Sequence, residues 1–125
     1  MGYLLSICIP TYNREKKIKN MLHFLDKERV LGNDNIEVIV SNNCSSDDTA
    51  MILHSYNSSN LFTFNQNVNL GLIGNLLFLQ NNANGKFVWF IGDDDILYPG
   101  IFDKVLHVLS NYSDIHHLFI NYSES

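Results

Sequence analysis

Phe87-Val88-Trp89-Phe90-Ile91-Gly92-Asp93-Asp94-Asp95 sets an unbroken apolar run directly against three carboxylates. The run is too short for a helix with a buried stripe and carries β-formers at every position. It reads as a strand that is apolar on both faces and therefore central in its sheet. Three adjacent carboxylates at the end of such a strand repel one another unless a cation or hydrogen-bond donors neutralise them. Oxygen ligands of this kind suit Mg²⁺ or Mn²⁺, which commonly take one or two carboxylates and complete their shell with substrate phosphates and water. The bland alternative is a solvated turn in which one Asp caps the next helix.

Working outward, residues 71–83 precede the strand. Leu72, Leu76, Leu79 and Ala83 recur on one helical face with Ile73 and Leu77 beside it, and Asn84-Gly85 supplies a C-terminal stop. Residues 101–109 read as the helix that follows, and 117–120 as a fifth strand. At the other end, residues 4–9 form a buried strand closed by Pro10. Ile18, Met21, Leu22 and Leu25 then give the inner face of a helix that starts near Arg14. Residues 36–40 are a second strand and 61–64 a third. Between them lies a helix with Ala50, Leu53 and Tyr56 inward, capped by Ser46 or Asp47. Strand and helix alternate throughout, which predicts an α/β fold: one domain over 1–125 with a mostly parallel sheet and helices on both faces. In such a sheet ligands bind at the carboxyl ends of the strands. The polar segments 10–14, 41–48 and 92–95 all follow strands, so they are expected along one edge.

Composition narrows the function. The chain has 125 residues, 46% hydrophobic and 17% charged, enough to bury a core and too apolar for disorder. A net charge of −5 argues against a nucleic-acid partner. Cys8 and Cys44 have no metal spacing and make no disulfide scaffold, so a reduced, cytoplasmic protein is the simpler reading. No apolar run approaches the length of a transmembrane segment, and the Met-Gly start reads as the approach to a strand rather than as a signal or lipidation sequence. His23, His54, His107, His116 and His117 show no ligand spacing.

Three further loops carry chemistry. Asn42 and Asn43 offer planar amides after the second strand; they pair with a nucleobase edge or form an Asx-turn. In Pro10-Thr11-Tyr12-Asn13, Tyr12 lies against a base or ribose, or else fills a core gap. In Asn69-Leu70-Gly71-Leu72-Ile73-Gly74-Asn75, Gly71 and Gly74 allow close backbone approach at a helix start. The segment is neither a Rossmann nor a P-loop fingerprint.

Taken together, these loops resemble glycosyltransferase family two. Ser6-Ile7-Cys8-Ile9-Pro10-Thr11-Tyr12-Asn13-Arg14 resembles that family's opening. Residues 37–49 resemble its second motif, Asn69-x-Gly71 its third, and residues 85–100 its metal motif. The motifs stand in family order between about residues 3 and 109, and the Gly-Asp-Asp-Asp form is similar to the bacterial branch that includes abequosyltransferase-like enzymes. The resemblance implies a GT-A (Rossmann-like) fold, here truncated, that binds a nucleotide-diphosphate sugar through a divalent cation, Mg or Mn. It implies transfer of the sugar with inversion to a hydroxyl of a saccharide or lipid-linked acceptor in surface polysaccharide synthesis, in the cytoplasm or at the inner membrane. Pro10, Tyr12, Arg14, Asn43, Asp93 and Asp94 would hold the nucleotide-sugar, and Asp94, with Asp95 second, the metal.

Three departures from the family pattern matter. Both Asp of the second motif are Asn here, placing an amide where a carboxylate faces the base; this points to an altered base preference, cytosine for example. Gly92 replaces the first Asp of the usual Asp-x-Asp. Leu76 stands where many members have a basic residue near the diphosphate. Members also continue for a hundred residues or more, into an acceptor half that supplies the general base. No base is named here, and weak or no transfer is expected of this chain alone; self-association or a partner chain supplying that half is the corresponding expectation. The alternative function is a non-catalytic nucleotide-sugar-binding or assembly module. A nucleotidyltransferase is disfavoured, because residues 10–17 lack a glycine-rich basic loop.

Overall fold

The computed structural model describes residues 2–112. Four strands, β1 (Leu5–Thr11), β2 (Ile36–Asn42), β3 (Leu61–Asn65) and β4 (Phe87–Phe90), alternate with four helices, α1 (Glu15–Lys27), α2 (Thr49–Ser55), α3 (Gly71–Asn82) and α4 (Ile101–Asn111). The strands form one parallel sheet in the order β3-β2-β1-β4. The expected fifth strand at 117–120, with His116 and His117, lies outside the described residues.

Register divides the sheet into two apolar faces. Leu5, Ile7 and Ile9 of β1 join Ile36, Val38 and Val40 of β2 on one face, where Ile18, Met21, Leu22 and Leu25 of α1, Leu53 of α2 and Phe102, Val105 and Leu109 of α4 cover them. Cys8 and Ile39 face the other way, onto Leu79 of α3. The split follows from handedness. The chain steps from β1 to β2 to β3 in one direction and then returns across both to lay β4 beside β1. Right-handed crossovers in opposite directions put their helices on opposite faces. The loops after β1, β2 and β4 and the start of α3 border a crevice at the carboxyl edge of the sheet.

Several sequence expectations change in the structure. β1 runs through Pro10 to Thr11 instead of closing at Pro10. Cys8 accepts from the Ile91 N–H, so even-numbered residues bond toward β4, whose pairing ends at Cys8 and Phe90. Pro10 therefore lacks its N–H on a side with no ladder left to serve. β4 is an edge strand among the described residues, not a central one. Phe87 and Trp89 turn toward the core and are half-buried, Trp89 against Phe102, while Val88 and Phe90 are exposed. In α3 the buried residues are Asn75 and Leu79, and Leu72, Ile73 and Leu77 face outward. In α2 they are Thr49 and Leu53, with Ala50 exposed, while Tyr56 at the C-cap is half-buried and packs against the core as expected.

Gly85 is also not a helix stop. The helix ends at Asn82 with Ala83 extended. Gly85 passes so close to β1 that a Cβ would lie 2.6 Å from both the N and Oγ of Ser6. The same corner buries Glu37, whose carboxylate accepts from the Ser6 hydroxyl and from the Asn84 N–H. The neighbouring Cys8 thiol is pushed up to about 12, by burial first and by the Glu37 charge second, which makes it inert.

Candidate functional site

The loops after β1, β2 and β4 meet at the carboxyl edge of the sheet because side chains tie each to the next. Asn13 adopts a left-handed backbone (φ 51), which Asn tolerates. Its N–H donates to Ser45 Oγ at 2.9 Å, and its Oδ1 accepts the Ser46 N–H at 2.7 Å. Asp47 accepts the Thr49 N–H and hydroxyl at the start of α2, and the Glu15 N–H at the start of α1. It serves both helix N-termini, although Asp48 is the formal cap residue of α2. Slight burial alone would raise its carboxyl; these hydrogen bonds outweigh that and hold it below the ordinary carboxylate value.

The acidic segment forms a tight turn. The Asp95 N–H donates to the Gly92 carbonyl at 3.1 Å, and the Gly92 N–H to Asp95 Oδ2 at 2.9 Å. Asp93 points inward and is only 8% exposed. Thr11 Oγ1, at the end of β1, donates to Asp93 Oδ2 at 2.8 Å. Arg14 Nη1 lies 3.0 Å from Asp94 Oδ2 and 3.7 Å from Asp93 Oδ1, so one guanidinium spans two neighbouring carboxylates. Burial raises the Asp93 carboxyl above its ordinary value; the Thr11 hydrogen bond and Arg14 pull it back, and Asp94 pushes it up again.

Gly92 leaves a small cradle. A Cβ there would lie 3.2 Å from both Asp94 Oδ1 and Asp95 Oδ1, so these two oxygens converge on one side of the turn. Their partner oxygens are the ones engaged with Arg14 and the Gly92 N–H. Two converging carboxylate oxygens fit part of the shell of Mg²⁺ or Mn²⁺. Among the described residues no group of three or more His, Cys, Asp or Glu gathers to hold a metal ion.

At the other end of the crevice, Asn43 is buried, and its amide orientation is fixed by its partners. Nδ2 donates to Asn69 Oδ1 at 2.9 Å and to the Gly71 carbonyl at 3.3 Å, while Oδ1 accepts the Leu70 N–H at 2.7 Å. A carboxylate at this position would meet two acceptors, so Asn43 and Asn69 make a matched pair that closes the 69–71 loop onto β2. Asn42 makes an Asx-turn instead: its Oδ1 accepts from Ser45 and its Nδ2 donates to Asn65.

A cavity of about 450 Å³ joins the two ends, within the usual range for small-ligand sites. Pro10, Tyr12, Arg14, Asn43, Asp93 and Asp94 all line it. Tyr12 is exposed on the cavity wall instead of filling the core. Asp95 is not part of this lining; it borders a smaller cavity with Lys17, Asn20 and Phe24. Sequence reasoning missed Thr11 and Asn75 as members of the site. Asn75 carried a signal, a lone amide four residues before Leu79 on the buried stripe of α3.

Residues 6–121 match the model of the family described as Glycosyl transferase family 2. The chain belongs to glycosyltransferase family 2. It is 32% identical over 117 residues to abequosyltransferase RfbV of Salmonella typhimurium, covering 90% of this chain and 34% of that protein. It is 30% identical to the GalNAc(5)-diNAcBac-PP-undecaprenol beta-1,3-glucosyltransferase of Campylobacter jejuni, over 82% of this chain and 33% of that one. The chain thus spans about a third of the length of these relatives. The crystal structure of Staphylococcus aureus TarS 1-349 in complex with UDP-GlcNAc superposes with a TM-score of 0.75 at 28% identity, over 87% of this chain and 32% of that one. The fold is therefore the GT-A type, with a mostly parallel sheet and helices on both faces.

Proposed function

We propose that this family-two chain holds a nucleotide-diphosphate sugar in the crevice at the carboxyl edge of the sheet, as the donor-binding part of a glycosyltransferase. The observation that carries this is the meeting, in one cavity, of an amide-lined end at Asn43 and Asn69 with an acidic end at Asp93 and Asp94. Tyr12 and Pro10 would flank the nucleoside. Arg14 has five N–H donors, and Asp94 and Asp93 engage one of its nitrogens, which leaves others for a phosphate. Asp94, with Asp95 across the Gly92 cradle, would hold a Mg²⁺ or Mn²⁺ that neutralises charge on the departing diphosphate. Thr11 and Arg14 would hold the buried Asp93 in place and favour its ionised form, against the burial that disfavours it.

The whole enzyme would pass the sugar, with inversion, to a hydroxyl of a saccharide or lipid-linked acceptor in bacterial surface polysaccharide synthesis. The names of the relatives support that direction. We assign no general base within this chain, so its own turnover is expected to be weak. No helix among the described residues is long and apolar enough to cross a membrane, which accords with work in the cytoplasm or at the face of the inner membrane.

Calorimetric titration of the chain with CDP-, UDP- and GDP-sugars, with Mn²⁺ and then with a chelator, tests the proposal. Binding should need the metal, and Asp94→Asn should weaken it by about tenfold or more, as expected on loss of a charged ligand. Binding that ignores the chelator, or no binding at all, would count decisively against the acidic turn as a metal-diphosphate grip.

A further inference from the structure

Asn75 carries a polar atom that the fold leaves without a partner. The residue is 2% exposed, sits in α3 and lines the cavity. Its Nδ2 donates to the Ser41 carbonyl at 3.1 Å near the end of β2. That carbonyl can only accept, so the nitrogen faces it and the oxygen is the atom left over. Asn75 Oδ1 is buried with no hydrogen-bond donor. A buried acceptor without a donor costs stability, and it calls for a specific explanation.

The neighbouring amides define which group would satisfy it. Asn43 spends its Nδ2 on Asn69 and Gly71, and its Oδ1 takes a single bond from Leu70, so its remaining capacity is as an acceptor. Asn69 Oδ1 takes both the Asn43 amide and the Gly71 N–H, which fixes its orientation and leaves its Nδ2 as the donor at the cavity lining. Among the amides that line this end of the cavity, the unfilled capacity is therefore two acceptor oxygens, on Asn75 and Asn43, and one donor nitrogen, on Asn69. Uracil answers this poorly: its one N–H is flanked by two carbonyl oxygens, which would face acceptors. A base with an exocyclic amino group brings two N–H bonds on one nitrogen, next to a ring nitrogen or carbonyl that Asn69 can serve.

We propose that Asn75, together with Asn43, selects a nucleotide whose base carries an exocyclic amino group over a uridine nucleotide, by accepting that amino group at the orphan Oδ1. The inference rests on the reading of this cavity as a nucleotide-sugar site.

The test is calorimetric titration of the full 125-residue chain with CDP, ADP, GDP and UDP at saturating Mg²⁺. At least one amino-bearing nucleotide should bind about tenfold or more tightly than UDP, the scale of one lost hydrogen bond to a buried acceptor. Asn75→Leu and Asn75→Ala should collapse that ratio toward one, with circular dichroism and thermal melting confirming that each variant is folded. Should neither variant fold, the wild-type series alone decides. UDP binding as tight as the best amino-bearing nucleotide overturns the inference and leaves the nucleotide site standing. Variants that lose affinity for every nucleotide by the same factor also overturn it, because that marks a structural amide. Failure of all four nucleotides to bind removes both the inference and the reading beneath it.

Discussion

A carboxylate that is 8% exposed beside a second carboxylate works against the fold that holds it. Burial is the first cause of the raised Asp93 carboxyl, and Thr11 and Arg14 offset it only in part. The sign follows directly. An acid raised in the folded state is favoured in its protonated form, so its ionised form costs stability at neutral pH, and that cost fades as pH falls through the raised range. Asp93→Asn should therefore raise the Tm at pH 7 while abolishing metal-dependent nucleotide binding, a trade common at functional sites. Scanning calorimetry from pH 7 downward should show the Tm advantage shrinking as Asp93 in the wild type takes up its proton. A variant less stable than wild type at pH 7 would mean that the bonds to Thr11 and Arg14 outweigh burial. At this scale the sequence was a good guide to which residues matter, because charges and amides placed after strands stand out. It was a poor guide to what each does. Whether Asn43 faces a base or Asn69 depends on how closely the 69–71 loop approaches β2, and spacing does not carry that.

Periodicity located α1 and α4 well, because each shows a clear contrast between its inner and outer positions, while β1 and β2 stood out as short runs of β-formers that the fold buries on both faces. It misread α3, whose Leu72, Ile73, Leu76, Leu77, Phe78 and Leu79 surround the helix with apolar residues and leave its face undetermined until it packs. β4 shows the same limit: an apolar residue at every position does not distinguish a central strand from the edge strand that it is among the described residues. Gly85 shows a further limit, since a turn glycine and a close-approach glycine look alike in sequence. The distinction is measurable. A Cβ at Gly85 would meet backbone atoms of Leu5 and Ser6 at 2.8 and 2.6 Å, which no rotamer change can relieve. Gly85→Ala should cost about 1–3 kcal/mol in chemical denaturation, the usual penalty for overpacking. It should also loosen the Glu37 corner, seen as faster hydrogen exchange at Asn84 and Gly85, whose N–H groups bond Glu37 and Ser6. An unchanged denaturation midpoint would show that β4 can slide from β1 at no cost.

The whole molecule is covered unevenly. Among the described residues α1, α2 and α4 shield one face of the sheet, whereas α3 alone lies on the other and packs over β1 and β2. Val88 and Phe90, which share that face with Ser6 and Cys8 through the register, stay exposed. Leu72, Ile73 and Leu77 on the outward side of α3 are exposed as well, Ile73 at 69%. β4 pairs only with β1 among the described residues. Exposed apolar residues on an edge strand favour association between copies, through burial and through strand pairing. Sedimentation velocity on the chain should therefore show mass rising with concentration in the micromolar range. Val88→Lys and Phe90→Lys should each shift it toward monomer by putting a charge on the strip, with little change in Tm because both side chains already face outward. Binding of nucleotide should survive in both variants, since neither residue lines the cavity. A chain that stays monomeric at every concentration would show that this strip does not drive association.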